Sequence, residues 1–339
     1  MSRRHDRMDE DDVRVRPTRA GSRPRSKDRP AHEQALPGTV IAVDRGRFTV
    51  AIASIDPDEG GRVIYAVKAR ELGRKGIVVG DDVDLVGDLS GDIDNQARVV
   101  RRHERVSTLR RTADDSDPVE RVIVANATQL AIVTATTDPA PSFGLIDRAL
   151  VAAYDAGVRP LLIVTKTDLV PPDELRRMYA PLDFDMFEVS DRRPPLALQQ
   201  ALADEVTVVV GHSGVGKSTL VNNLVPGTDR STGRVNLVTG KGRHTSTNVR
   251  AIPLPGGGWI IDTPGIRSFG LAHVDLDRVI SAFPDLAAGT DGCPRACSHD
   301  EPDCGLNAWA EEQELGVRER LASMRRMLAG RSANPEGFD

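Results

Sequence analysis

The sequence predicts an α/β protein in three parts. These are an N-terminal OB-fold β-barrel, a central P-loop domain with a doubly wound parallel sheet, and a C-terminal helical region carrying metal ligands. Three observations support this reading. Short β-rich runs separated by Asp/Gly turns crowd residues 39–100. Strand-like and helical segments then alternate through residues 121–210, the pattern of a parallel sheet covered on both faces. All three cysteines fall within residues 293–304, together with a histidine. The expected divisions are a tail at 1–35, a barrel at 36–112, a phosphate-loop domain at 113–275 and a metal-binding helical domain at 276–339.

Composition narrows the class. A hydrophobic share of 39% in 339 residues supports real cores, and the net charge of −5 argues against a protein that coats nucleic acid by bulk charge. Local basic patches remain open. No apolar run approaches the ~18 residues of a membrane helix, so no membrane partner is expected. Ser2, Arg3, Arg4, His5, Asp6 and Arg7 lead into acidic residues and not into the apolar core of a secretory signal. Clustered cysteines are not a disulfide framework, and a cytoplasmic location is expected. Residues 1–35, rich in Arg, Asp, Ser and Pro, read as a solvated disordered tail; contact of its arginines with RNA phosphates is the alternative.

Within the barrel, strands are expected at 39–43, 47–52, 63–67, 83–86 and 97–100. Phe48 and Tyr65 are its only aromatics, so it lacks a platform for stacking bases, and RNA contact would run through backbone and shape. Arg101, Arg102, His103, Glu104, Arg105, Arg110 and Arg111 form a basic linker, either a solvated connector or a phosphate contact. Beyond it, residues 122–126, 130–135, 160–164 and 185–189 read as strands. Residues 145–156, 172–179 and 196–203 read as helices.

The run Val206–Val210 leads into Gly211, His212, Ser213, Gly214, Val215, Gly216, Lys217, Ser218 and Thr219, and then into a helix at 220–224. Strand, glycine-rich turn and helix match the G-x-x-x-x-G-K-[ST] loop that binds a nucleoside triphosphate. Its glycines let successive N–H groups face a phosphate chain. Lys217 is expected at the β- and γ-phosphates and Ser218 on Mg²⁺. Thr165, Lys166, Thr167 and Asp168 stand at the end of a buried strand. A carboxylate there accepts from guanine N1–H and N2–H₂, whereas adenine offers an acceptor in that place. Asp168 is thus the expected guanine reader, with the Lys166 stem over the base. The alternative is an ordinary loop before a helix.

Asp262, Thr263, Pro264 and Gly265 follow a strand at 259–261 that a turn at 256–258 pairs with 249–254. Asp262 suits a water-mediated hold on Mg²⁺, and the Gly265 N–H a sensor of the γ-phosphate. Ile266 comes next, where many GTPases carry a water-orienting Gln. Residues 242–247 between these motifs read as a switch loop. Thr245 is the first choice there for a Mg²⁺ ligand, with Ser246 or Thr247 as the fallback. His244 is the candidate to orient or deprotonate the attacking water, and a surface histidine in a mobile basic loop is the alternative.

The guanine motif precedes the phosphate loop, then come the Gly-Arg-His-Thr segment at 242–245 and the Asp-Thr-Pro-Gly segment. In this order the chain resembles the circularly permuted, ribosome small-subunit-dependent GTPases of the RsgA (YjeQ/YloQ) family, over residues 36–325. The resemblance implies GTP/GDP with Mg²⁺ as ligands and hydrolysis stimulated by the 30S subunit during its late maturation near the decoding region. It implies contact with 16S rRNA, a monomer, and Ser190 among the nucleotide-binding residues. Thr165 stands where Asn is usual. A second reading is an RNA-binding assembly scaffold with GTP chiefly as ligand, supported by Ile266; a P-loop ATPase or kinase is a third. Cys293, Cys297, His299 and Cys304 offer a complete Cys₃His set for one structural zinc, with three reduced structural cysteines beside a surface histidine as the alternative. Both outer gaps are one residue shorter than the C-x₄-C-x-H-x₅-C pattern they resemble. A helix expected at 309–328 carries Arg318, Arg320, Arg325 and Arg326, an RNA-facing stripe or a solvated face.

Overall fold

A computed structural model of the chain describes residues 32–52, 61–73, 76–92, 96–112, 120–225, 249–263, 271 and 274–329. Five strands make the barrel: β1 (Leu36–Asp44), β2 (Arg47–Ile52), β3 (Arg62–Lys68), β4 (Asp82–Val86) and β5 (Ala97–Arg102). They pair in the order β1-β2-β3-β5-β4, and β4 returns to β1 to close the ring. Within the barrel only β3 and β5 run parallel. Closure follows from period-2 patterning: Phe48, Val50 and Ile52 of β2 turn inward while their neighbours face out. Phe48 therefore fills the interior with Val40, Ile64, Leu85 and Val99.

Several side chains of the basic linker at the barrel exit are engaged with the barrel, while Arg101, His103 and Glu104 stay exposed. Arg105 clasps the fully buried carboxylate of Asp81 through Nε at 2.6 Å and a terminal nitrogen at 2.9 Å. Arg101 and His103 both reach Asp84, at 2.9 and 2.8 Å. Arg102 donates to the Gly76 carbonyl at 2.6 Å. Three of the arginines thus brace the linker against the barrel, Arg105 and Arg101 because the buried carboxylates of Asp81 and Asp84 need cationic partners.

Strands β6 (Thr108–Thr112) and β7 (Glu120–Ala125) form a two-stranded antiparallel sheet whose Leu109 and Val124 join the central core. The rest of the central domain alternates β8 (Gln129–Ala135), α1 (Phe143–Ala156), β9 (Arg159–Thr165), α2 (Asp173–Tyr179), β10 (Asp185–Val189), α3 (Leu196–Leu202), β11 (Val206–Val210) and α4 (Lys217–Leu224). After these come the hairpin strands β12 (Arg250–Pro253) and β13 (Trp259–Asp262). The sheet order is β10-β9-β8-β11-β13-β12, parallel except at β12. Ala42 of β1 pairs with Arg250 of β12, so barrel and sheet are continuous.

All seven residues of β8 are buried, as a central strand covered on both faces requires. Its one amide, Gln129, is satisfied: it donates to the Ala201 carbonyl at 2.8 Å and accepts from the Thr207 hydroxyl at 3.0 Å. One face packs Ile132, Leu162 and Val208 against Ile146 and Leu150 of α1. The other packs Val133, Ile163 and Val209 against α3 and α4 through Leu198 and Leu220. Each such side chain contributes about 2 kcal/mol of burial.

The C-terminal region comprises α5 (Leu276–Ser281), α6 (Pro284–Ala287), α7 (Gly305–Glu311) and α8 (Leu315–Ala329). The single helix expected at 309–328 is broken between α7 and α8. Arg318 caps the break, donating to the carbonyls of Gln313 at 3.0 Å and Glu311 at 2.9 Å. The break turns Leu321, Met324, Met327 and Leu328 into the core under α1. Three of the four arginines of α8 are engaged within the protein, while Arg318 stays exposed. Arg320 pairs with Asp285, Arg325 donates to the His299 carbonyl, and Arg326 pairs with Asp147 of α1. Among the described residues no helix is long and apolar enough to cross a membrane.

Candidate nucleotide site and metal centre

Parallel strands bring the motifs to one edge. Register pairs Val210 with Ile132, Val209 with Asp262, and Thr165 with both Ala135 and Val189. The carboxyl ends of β8, β9, β10, β11 and β13 therefore meet beside the phosphate loop, the usual ligand edge of an open α/β sheet. The loop needs its glycines. A Cβ at Gly211 would lie 2.2 Å from the Val133 carbonyl oxygen, and Gly214 and Gly216 have φ of 83° and 94°.

Lys217, the first residue of α4, folds its ammonium back over the loop. It donates to the carbonyls of Gly211 and His212, both at 2.6 Å. Burial lowers its pKa, and Asp262 partly offsets this. Burial raises the pKa of Asp262, with Lys217 opposing. Each is thus the other's counter-charge in a half-buried crevice, the electrostatic setting of a phosphate–metal site. Ser218 and Thr219 are in the first turn of α4, and both are exposed. Thr263, next to Asp262, is buried and donates to the Val209 carbonyl at 2.9 Å. His212 and Ser213 are exposed, and His212 Nδ1 lies 3.3 Å from the Ser213 carbonyl oxygen.

A cavity of about 510 Å³ extends from the loop to the guanine motif, bordered by Thr165, Lys166, Asp168, Val215 and Thr219. Thr165 is buried, and its hydroxyl lies 2.6 Å from the Val215 carbonyl oxygen and 3.2 Å from that of Thr134. The side chain that begins the guanine motif therefore ties the motif to the phosphate loop. Lys166 adopts a positive φ of 59° and donates to the Asp138 carbonyl. Thr167 N lies 3.5 Å from the Val189 carbonyl oxygen, which holds the motif to the end of β10. Asp168 is exposed at the cavity mouth and accepts from the Asp191 N–H at 3.1 Å.

Ser190 is exposed and does not border the cavity; its carbonyl closes the turn that presents Arg192. Asp138 and Arg192 are cavity residues that motif reading missed. Neither belongs to a phosphate or base motif, and only the fold brings them alongside. His244, Thr245 and Gly265, with Ser246, Thr247 and Ile266, lie outside the described residues.

The ligand atoms of Cys293, Cys297, His299 and Cys304 all lie within 4.8 Å of one another. Cys293 Sγ is 3.7 Å from His299 Nδ1 and 3.8 Å from Cys304 Sγ. Those are the edges, roughly 3.8 Å, of a tetrahedron around zinc with Zn–S near about 2.3 Å. The shortened loops reach this geometry because Ala296 and His299 take left-handed φ values of 59° and 66°. The His299 N–H donates to Cys297 Sγ at 3.3 Å. Burial pushes the Cys297 thiol up to about 12, so a cation is the partner that would favour thiolates there. The donor set fits one zinc, with no ligand position left open.

A family model described as RsgA GTPase matches residues 102–272. The chain is similar to proteins named small ribosomal subunit biogenesis GTPase RsgA. The one from Nitrosomonas europaea is 34% identical over 312 residues, covering 89% of this chain and 94% of the relative. The one from Ectopseudomonas mendocina is 43% identical over 217 residues, covering 61% of this chain. The chain spans 63% of the length of that relative and of the one from Pseudomonas aeruginosa. Two solved structures share the fold at 22% identity. YjeQ from Thermotoga maritima gives a TM-score of 0.58 over 87% of this chain and 99% of its own. YloQ, described as a circularly permuted GTPase, gives 0.60 over 88% and 98%.

Proposed function

The chain belongs to the RsgA GTPase family, and from that premise we propose that it is a cytoplasmic GTP hydrolase acting as a timed assembly factor on the small ribosomal subunit. The reading rests on one observation: Asp168 and the phosphate loop border the same cavity, joined through the Thr165 hydroxyl. One ligand with a guanine at one end and phosphates at the other satisfies both. Asp168 accepts from guanine N1–H and N2–H₂, and the loop N–H groups with Lys217 receive the phosphates.

Ser218 and Thr245 would hold magnesium, with Asp262 reaching it through water. When bound, magnesium neutralises charge on the β- and γ-phosphates. Asp262 serves that role as a carboxylate, and Lys217 beside it favours that form. His244 orients the attacking water, replacing the Gln whose place Ile266 takes, and the Gly265 N–H senses the γ-phosphate. Hydrolysis removes those contacts and releases both loops.

Cys293, Cys297, His299 and Cys304 would hold one structural zinc. The permuted order joins the guanine end of the domain to the barrel and leads from Asp262 into the zinc region. Both flanks thereby report the nucleotide state to 16S rRNA, with the protein acting as a monomer.

The test is GTP turnover with and without purified 30S subunits, paired with co-sedimentation in GDP and in a non-hydrolysable GTP analogue. Stimulated turnover with nucleotide-dependent binding is expected. Absence of stimulation removes the ribosome-coupled reading. Binding indifferent to nucleotide favours the scaffold alternative.

A further inference from the structure

The motif residues at the guanine end of the cavity leave one edge of the base without a donor. With Asp168 on N1–H and N2–H₂, guanine O6 and N7 remain as acceptors. A side-chain amide at the start of the guanine motif could donate to them, but that position holds Thr165. Its single hydroxyl proton is drawn to the Val215 carbonyl at 2.6 Å. The Lys166 ammonium is turned onto the Asp138 carbonyl. The Asp191 N–H at the cavity mouth is committed to Asp168 at 3.1 Å. Arg192 also borders the cavity, and its guanidinium makes no hydrogen bond or ion pair among the described residues.

The backbone at Arg192 is held in an uncommon conformation at the cavity mouth. Asp191 and Arg192 have φ of 49° and 61°, and Arg193 N donates to the Ser190 carbonyl at 2.8 Å. Two consecutive left-handed residues closed by this bond make a tight turn that favours Asn and Gly, yet Asp and Arg occupy it. Two contacts hold it. The Asp191 N–H is anchored by Asp168, and the Arg192 carbonyl accepts from Asn223 Nδ2 of α4 at 2.6 Å. A strained non-glycine turn pinned to both the guanine reader and the phosphate-loop helix signals a positioned side chain.

We infer that Arg192 is a second guanine-specificity residue, donating to O6 and N7 of the base that Asp168 reads on its N1 side. A guanidinium offers the planar pair of donors that this edge accepts. Arg192 thus supplies from the β10 side what Thr165 cannot supply from the β9 side. This rests on the guanine-nucleotide reading above, and the experiment separates the two.

The full chain with Mg²⁺ is titrated with GDP, 7-deaza-GDP (N7 replaced by CH) and ADP. Wild-type protein is expected to prefer GDP to ADP strongly and to bind 7-deaza-GDP more weakly than GDP. Arg192→Ala should weaken GDP binding by about tenfold or more, the loss of one bidentate arginine–guanine pair. It should also bring GDP and 7-deaza-GDP to nearly equal affinity. Arg192→Gly removes the guanidinium and relieves the turn, so the same losses there exclude a folding artefact. Arg192→Lys should recover only part of the affinity, because an ammonium cannot donate in a planar pair. If the Ala and Gly variants retain the GDP affinity and the penalty for 7-deaza-GDP, the role of Arg192 is overturned while guanine binding stands. If wild type does not prefer GDP to ADP, the guanine reading itself fails.

Discussion

At the scale of single residues, Thr165 most changes the expected chemistry. By motif alone it is a weakened base contact, able to make one short hydrogen bond. In the fold its hydroxyl spends that bond on Val215, a phosphate-loop residue that is only 3% exposed. Thr165→Ala leaves that carbonyl unpaired and is expected to cost about 1–3 kcal/mol of stability. It should also loosen GDP and GTP together, because the loop and the base motif lose their tie. Thr165→Ser should restore most of both. Thermal unfolding and nucleotide titration of the two variants check this. GDP affinity unchanged in Thr165→Ala would show that the loop keeps its shape without the hydroxyl.

At the scale of elements, α8 does more than cover the core. Arg326 donates to both oxygens of Asp147 in α1, at 3.0 and 2.9 Å, and lies 5.0 Å from the ring centre of Tyr179 at the end of α2. The Tyr179 hydroxyl donates to the same carboxylate at 3.0 Å. The adjacent Arg325 donates to the His299 carbonyl and to Asn307 Oδ1, both at 2.7 Å. Two neighbouring arginines thus link the Cys₃His cluster to the helix that comes after segment 165–168.

Desolvation raises the pKa of Asp147 despite Arg326 and Tyr179. Removing the cation in Arg326→Ala raises it further and leaves a buried carboxylate uncompensated, at a cost of about 3 kcal/mol near neutral pH. The sign of its pH dependence follows from that shift. A carboxyl whose folded pKa lies above its unfolded one costs nothing in the acid form and destabilises as pH rises from the unfolded value through the folded one. The deficit of Arg326→Ala should therefore be largest at neutral pH and shrink as Asp147 protonates on acidification. Urea denaturation of variant and wild type from pH 7 toward pH 5 measures it, and a pH-independent deficit would assign the loss to packing instead.

At the scale of the whole molecule, barrel, sheet and C-terminal helices share joints with little freedom. A Cβ at Gly80 would lie 1.9 Å from the Ala125 carbonyl oxygen, so barrel and β7 approach within backbone contact. Asn126 Nδ2 donates to the Gly80 carbonyl at 2.8 Å, and Asn126 Oδ1 accepts from Val106 N at 2.9 Å. At the other end Cys297 and Cys304 pack within the central core with Leu306 and Met324. Metal loss should therefore be felt globally. Purified chain is expected to carry about one zinc, and chelation to lower Tm by at least about 5 °C. Metal analysis with calorimetry checks this; a zinc-free chain with a chelator-insensitive Tm would leave the cysteines as core residues only.

Much of this was legible in the sequence for a local reason. The phosphate loop, the guanine motif, the barrel strands and the Cys₃His set are written in short spacings or in period-2 alternation, which neighbours along the chain enforce. Motif order then indicated the permuted family. The α7–α8 break was not legible, because residues 309–328 keep helical composition across it and the break depends on carbonyls captured by Arg318. Nor were the fates of the basic residues. Arg105 on Asp81 and Arg326 on Asp147 join positions 24 and 179 residues apart, and no local pattern encodes such partners. The sequence by itself determined the kinds of chemistry present and the order of the elements that carry them. Only the tertiary structure decided which charges are spent within the protein and which, like Arg192, make no ion pair among the described residues. Ion pairing is a matter of distance in space, and folding sets that distance.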